Sequence, residues 1–221
     1  MNKVFDIIGI IVIALYIFKY VQIRKVCNKY NKINNYKSLS GCEVAQKLLD
    51  INGLDNIYVV QTKNPLYEKY DSNRKVIRLS KKIFDDISVN ALIMSSREVG
   101  YAINDKKKNI MFKIKELLYM PMNVLTYLSY AAIIISAFMK DFNSLRISLL
   151  VLVIISIYNA LFYKFEKSNL KIIYDQLIKN DLIEKDDDIS KLINELSFSY
   201  LVNTIHLINV IFDFLKSKVN E

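Results

Sequence analysis

The residues at positions 96–103 have the types and spacing of a metal-dependent hydrolase helix, but the metal ligands are missing. They read Ser-Arg-Glu-Val-Gly-Tyr-Ala-Ile. In a zinc-binding His-Glu-x-x-His helix, two histidines four residues apart face one metal ion, and the glutamate takes a proton from the zinc-bound water. Here Glu98 stands at the glutamate position, whereas Arg97 and Tyr101 stand at the histidine positions. Arginine offers no lone pair. We therefore interpret Glu98 as the inactive remnant of a general base, and Arg97 and Tyr101 as degenerate metal positions.

A helix from a cap at Ser88 to about Asn104 is predicted to carry these residues. Its apolar residues recur with a helical period, which indicates one buried face. Ser96 and Gly100 lie four residues apart and are expected to let another backbone approach closely.

The chain before this helix is predicted to mix helix and strand. Ser40 and Glu43 fit a capping box that begins a helix ending at about Asn52. Residues 57–61 and 75–79 have the composition and alternation of strands. The sequence therefore predicts a small α+β domain.

Apolar residues make up 52% of the chain, and most of them lie in runs without charge. A helix needs about 20 mainly apolar residues to cross a bilayer. Four runs approach that length: 7–18, 117–139, 147–163 and 196–212. They predict a mainly α membrane protein with about four transmembrane helices. A break is expected within the second run at Pro121.

The first and last runs leave alternatives open. Charged residues follow the first run where a secretory signal would have a small-residue cleavage site, which favours an uncleaved anchor. The last run carries Asn203, His206 and Asn209, which with Asp213 form a polar stripe. This stripe marks either a functional site or hydrogen bonding between helices, and the run either spans the membrane or lies along its surface.

The net charge is +9, and the positions of the basic residues indicate how the chain is oriented in the membrane. Basic residues cluster after the first run, before the second and after the third, which is typical of cytoplasmic segments. We therefore expect a multi-pass plasma-membrane protein with its N-terminus outside and its main domain cytoplasmic. The positive charge then serves topology and attraction to the lipid bilayer rather than nucleic-acid binding.

The predicted organisation has five segments. They are an N-terminal transmembrane anchor at 1–23, a cytoplasmic domain at 24–116, a transmembrane helical hairpin at 117–163, a cytoplasmic helical segment at 164–195 (with a helix at about 166–180), and a C-terminal transmembrane or interfacial helix at 196–221.

Residues 40–104 resemble the membrane-bound neutral zinc metallopeptidase (YugP-like) family of bacteria. The resemblance rests on Ser-Gly-Cys-Glu-Val-Ala at 40–45, Asn-Gly-Leu at 52–54, the segment 66–71, the strand at 76–80, and Glu98-Val99-Gly100. It implies that the 24–116 domain is zincin-like and peptidase-like, and that relatives bind zinc.

The chain departs from that family where the metal should bind. The family has Glu-Phe-Asp-Ala-Ser after the third span, and the resemblance implies a further ligand there. This chain has Lys164-Phe165-Glu166-Lys167-Ser168. Lys164 and Glu166 are therefore further degenerate metal positions, and we expect no zinc and no other cofactor.

Two interpretations of Arg97 remain open from the sequence. Arg97 either takes the place of the metal and pairs with Glu98 or Glu166, or lies with Glu98 on a solvated face.

Three functions compete. The first is a pseudopeptidase of hydrolase fold that binds a membrane or an unknown protein partner without cutting it. The second is an active membrane metallopeptidase or hydrolase that uses Glu98 with non-standard ligands. The third is a membrane protein unrelated to peptidases, such as a small transporter subunit.

Overall fold

The computed structural model describes residues 2–63, 68–184 and 187–198, and in this part the chain is mainly helical with one small sheet. Seven helices and three strands lie in the described ranges. The helices are α1 Asn2–Tyr30, α2 Gly41–Ile51, α3 Lys81–Phe84, α4 Val89–Lys106, α5 Ile110–Met139, α6 Phe142–Lys179 and α7 Asp187–Ser197; the strands are β1 Tyr58–Thr62, β2 Lys69–Asp71 and β3 Val76–Ser80.

The chain divides into two compact units. We call residues 24–114 with 165–197 the mixed unit, because it holds the sheet. Residues 2–23, 115–164 and 198 are the described part of the second unit, which we call the apolar unit. The segment boundaries expected from the sequence remain predictions.

The mixed unit has its own hydrophobic core, which α2, α4, the sheet, the end of α6 and α7 share. Helix α2 begins with the predicted capping box, in which Ser40 accepts from the Glu43 backbone N–H and Glu43 accepts from the Ser40 backbone N–H. Fully buried side chains fill the space between these elements: Leu48, Leu49, Ile77, Leu79, Leu92, Ile93, Leu170, Ile173, Leu177, Leu192 and Leu196.

The sheet is mixed, with the order β1-β3-β2. Strand β1 runs parallel to β3, with Thr62 opposite Ser80 at their shared carboxyl end. Strand β2 pairs antiparallel with β3, with Tyr70 opposite Ile77. Strands β1 and β3 lie within a residue of their predicted positions, but β2 and α3 were not predicted. A three-residue strand is too short to show alternation.

Two glycines of the mixed unit lie at close contacts between elements. A Cβ built on Gly41 would lie 2.2 Å from the Ile83 carbonyl oxygen. A Cβ on Gly100 would lie 2.4 Å from Asn169 Oδ1 and 2.8 Å from an Ile173 side-chain carbon. Helix α6 therefore approaches Gly100 closely, but the nearest atoms belong to its side chains and not to its backbone, whereas the sequence predicted a backbone contact.

Two helices of the described chain are long and apolar enough to cross a membrane, judged by length and composition alone. They contain the second and third apolar runs, and many of their large apolar side chains in the apolar unit are exposed, including Leu117, Phe138, Ile154 and Leu161. The first run lies in α1. The polar stripe of Asn203, His206, Asn209 and Asp213 lies outside the described residues.

Two predicted interruptions of helices were wrong. Helix α5 continues through Pro121. Proline is tolerated in membrane helices when neighbouring groups compensate for the lost hydrogen bond. Helix α6 runs unbroken from Phe142 to Lys179, so the third apolar run and the predicted helix at 166–180 are one element. No glycine or proline lies in this stretch to end the helix.

Candidate functional site

Helix α4 carries Arg97, Glu98 and Tyr101 into the interior of the mixed unit. The helix begins at Ser88, whose side chain accepts from the Ala91 backbone N–H, as predicted. The exposed fraction is 2% for Glu98 and 7% for Tyr101. The Arg97 side chain is 11% exposed. The interpretation that places Arg97 and Glu98 on a solvated face is therefore wrong, because α6 and β2 cover this part of α4.

Arg97 and Glu98 form a buried ion pair. The Nε and Nη2 atoms of Arg97 donate to Glu98 Oε1 at 3.1 Å and 3.0 Å. The other carboxylate oxygen, Oε2, accepts from the backbone N–H of Tyr70 in β2 at 2.9 Å. Both oxygens of Glu98 therefore hold structural partners, and the side chain fastens an edge strand to α4.

Glu166 of α6 completes the group. Its Oε2 accepts from the Tyr101 hydroxyl at 2.5 Å, and its Oε1 lies 3.9 Å from Arg97 Nε. Glu166 is only 1% exposed. We call Arg97, Glu98, Tyr101 and Glu166 the buried ionic cluster.

Of the predicted site residues, only Lys164 lies outside this cluster. It is exposed on α6 and falls within the apolar unit. The structure thus brings together the two helix positions and the carboxylate of the 164–168 segment.

Aromatic rings surround the phenol of Tyr101. The ring of Phe112 stacks at a centroid distance of 6.1 Å, and the ring of Phe165 stacks at 6.3 Å. Phe112 also contacts Tyr70, with ring centroids 6.1 Å apart. These rings exclude water and raise the strength of the polar contacts beside them.

Burial and neighbouring charges shift the pKa values of Arg97 and Tyr101. Burial alone would lower the pKa of Arg97. The negative charge of Glu98, and to a smaller extent Tyr101 and Glu166, outweighs this effect, so the pKa of Arg97 lies above its usual value. Burial, followed by the charge of Glu166, raises the pKa of Tyr101 well above its usual value. Arg97 and Tyr101 therefore keep their protons near neutral pH and act as the donors in these contacts.

These residues do not fit a zinc ion. A catalytic zinc site uses at least three protein ligands drawn from Cys, His, Asp and Glu. Arg97 has no lone pair, Tyr101 keeps its proton, and both oxygens of Glu98 are engaged. No three His, Cys, Asp or Glu side chains are grouped to hold a metal ion anywhere in residues 2–63, 68–184 and 187–198. A divalent cation would also face the guanidinium at short range.

Sequence reasoning missed Asn169, Asn104 and the backbone of Tyr70. Asn169 donates to the Arg97 carbonyl at 3.2 Å and accepts from Asn104 at 2.9 Å, and Asn104 also donates to the Gly100 carbonyl. Asn169 follows Glu166 by three residues and so shares its helix face, a spacing that the sequence offered. The Tyr70 N–H has no sequence signal, because any residue but proline supplies it.

Comparison with known proteins identifies the same family that the sequence motifs indicate. The sequence profile of the family described as "Putative neutral zinc metallopeptidase" matches residues 5–215. The chain belongs to this family. Within the zinc metallopeptidase family, the chain is 30% identical over 103 residues to the "Putative membrane protease YugP" of Bacillus subtilis (strain 168). That match covers 47% of this chain and 46% of the relative, so it spans about half the length of each. No solved structure matches the chain.

Proposed function

We propose that this chain is a catalytically inactive member of the zinc metallopeptidase family, a pseudopeptidase of the plasma membrane that acts by binding a membrane or protein partner. The observation that supports this proposal is that both carboxylate oxygens of Glu98 already accept hydrogen bonds from the protein. A general base must reach the proton that it abstracts. Here Arg97 engages one carboxylate oxygen and the backbone N–H of Tyr70 engages the other.

The missing Lewis acid adds a second argument. In metallopeptidases the metal lowers the pKa of its bound water and stabilises developing charge on the carbonyl oxygen. Arg97 supplies a fixed positive charge at one former ligand position but binds no water as a metal does. A buried arginine thus replaces the charge of the ion without replacing its chemistry.

The membrane part of the proposal rests on α5 and α6 and on the distribution of charge. Two apolar helices join a basic mixed unit. We place four spans in the bilayer, with the N-terminus outside and the zincin-like domain at the cytoplasmic face, as the excess of lysine beside the apolar runs predicts.

Metal content tests the proposal. Full-length protein is purified in detergent with and without added zinc, and bound metal is measured by elemental analysis. We expect no stoichiometric metal in the wild type, and about one zinc per chain in the Arg97→His, Tyr101→His variant, because Glu166 lies beside both positions and completes a three-ligand set.

The matched control adds Glu166→Gln to that variant and should lose the metal, since an amide is a much weaker zinc ligand. Adding Lys164→Glu tests whether this position supplies a ligand as well. Each variant is first checked for a cooperative thermal transition. Stoichiometric metal in the wild type would contradict the proposal. A folded double variant without zinc would contradict the assignment of these three positions.

The active hydrolase remains the second candidate, because Glu98 keeps the position of the family's base. It requires the wild type to cleave a peptide substrate and the Glu98→Gln variant to lose that cleavage. The Arg97→Ala variant separates the two candidates. It releases only Oε1 of Glu98, since Oε2 still accepts from the Tyr70 N–H. It should show no cleavage if the protein is a pseudopeptidase, and altered cleavage if Glu98 is a working base.

A further inference from the structure

A depression of about 750 Å³ lies in the mixed unit at the carboxyl end of its parallel strands. Its lining residues are Gln61, Thr62, Lys63, Lys81 and Lys82. Strand β1 ends at Thr62, and β3 ends at Ser80, its partner in the ladder. Because parallel strands end at the same edge of the sheet, Lys63 is brought next to Lys81 and Lys82 from a distant part of the sequence.

Three lysine side chains, those of Lys63, Lys81 and Lys82, line this depression. All three are exposed. Within the described residues none of them forms a hydrogen bond or ion pair, unlike Lys37 and Lys75, which bind Asp181 and Asp105. Two carboxylates of this region point to other donors: Asp85 accepts from Gln61 at 3.5 Å, and Glu68 accepts from the Ser80 hydroxyl. Three like charges around one concave surface repel one another and favour an anion.

We propose that this depression binds the phosphate group of a small phosphorylated molecule or of a lipid headgroup. Lysine binds phosphate as a point charge with rotatable donors. A phosphate monoester carries about −1.5 to −2 charges and three acceptor oxygens, which suits three ammonium groups. The volume of about 750 Å³ also leaves room for the molecule that carries the phosphate, since small-ligand sites span roughly 300–1,000 Å³.

This site uses no residue of the buried ionic cluster. The proposal therefore holds whether or not the protein is catalytic, and it assigns the mixed unit a ligand-binding role of its own.

Calorimetric titration of the full-length protein in detergent tests the proposal. Pyrophosphate is titrated at 0.15 M salt, where the screening length is about 8 Å and distant charges contribute little. The Lys63→Gln, Lys81→Gln, Lys82→Gln variant is compared with a control of equal charge change, Lys107→Gln, Lys108→Gln, Lys113→Gln. These control lysines are exposed elsewhere in the mixed unit.

We expect the wild type to bind pyrophosphate, the first variant to bind at least about tenfold more weakly, and the control to differ by less than about twofold, because only the first variant loses hydrogen bonds to the charged ligand whereas distant charges are screened. Both variants must keep the thermal transition of the wild type. No binding by the wild type, or equal weakening in both variants, would overturn the proposal. Citrate binding as tight as that of pyrophosphate would overturn the preference for phosphate.

Two further titrations identify the source of the phosphate. A short-chain phosphatidic acid is used below its micelle-forming concentration, beside inorganic phosphate. Tighter binding of the lipid, lost in the first variant, supports a headgroup site. Equal binding of both, also lost in that variant, supports a soluble phosphorylated ligand.

Discussion

Replacing Arg97 by methionine should destabilise the mixed unit far more than the loss of a surface charge. Glu98 is 2% exposed and would keep only the N–H of Tyr70 as a partner among the contacts described above. Removing one partner of a buried ion pair costs about 3–5 kcal/mol, because the other charge remains buried without compensation. At about 2–4 °C per kcal/mol for a chain of this size, Tm should fall by roughly 6–20 °C.

The double variant Arg97→Met, Glu98→Gln separates this cost from a simple loss of packing. It removes both charges, and the glutamine amide oxygen can still accept from Tyr70. Replacing a buried pair by neutral groups is often close to neutral. We therefore expect the double variant to be more stable than Arg97→Met alone, with a coupling energy of about 2 kcal/mol or more between the two positions.

Thermal unfolding in one detergent, followed by circular dichroism, provides the assay. The pair of Lys37 and Asp181 is the control, because its atoms lie 2.7 Å apart at the surface, where the Asp181 side chain is 73% exposed. Lys37→Met should leave Tm unchanged within error. The reasoning is refuted if Arg97→Met behaves like Lys37→Met, or if the double variant loses as much stability as the two single variants together.

Two further predictions concern the close packing at Gly100 and the raised pKa of Cys27. Gly100→Ala should lower stability by about 1–3 kcal/mol, because a methyl group would overlap Asn169 of α6; a Tm equal to that of the wild type would contradict the close approach. Burial raises the pKa of the Cys27 thiol from 9.0 to about 11, against partial lowering by Arg97 and Lys82. The reactive thiolate of Cys27 should therefore be about 100-fold scarcer at pH 8 in the folded than in the unfolded protein. Alkylation measured by mass spectrometry should be slow in the folded protein and fast in urea, and equally fast alkylation in both would refute the burial.

Local rules predicted much of the mixed unit. The capping box at Ser40 and the cap at Ser88 were correct because a side chain three residues from its backbone partner needs no tertiary structure. The strands around Val60 and Leu79 were found because strand-forming composition, and at Leu79 alternation as well, is a local property of the sequence. Strand β2 was missed, because its position depends on pairing with β3 and on a hydrogen bond to Glu98.

The errors in the apolar helices have a physical cause as well. The predicted break at Pro121 applied a rule for exposed helices, whereas α5 continues through this residue. The predicted boundary near Lys164 marked a change of composition, from apolar to charged. A change of composition does not end a helix unless a glycine, a proline or a capping residue stops the hydrogen-bonding pattern, so α6 runs on to Lys179.

The sequence alone determined that the zinc helix lacks its ligands. Arginine has no lone pair to offer a metal, and a tyrosine that keeps its proton is not among the Cys, His, Asp and Glu ligands that zinc uses, and this is a property of the side chains. The sequence also determined the apolar runs and the capped ends of α2 and α4.

Only the tertiary structure decided what surrounds Glu98. Whether Arg97 lies in water or in the interior, and whether Glu166 or Lys164 approaches it, depends on how α6 packs against Gly100. The same packing determines that Arg97 and the Tyr70 N–H donate to the two oxygens of Glu98. Contacts between residues almost 70 positions apart depend on the burial of the whole core, and no local pattern records them.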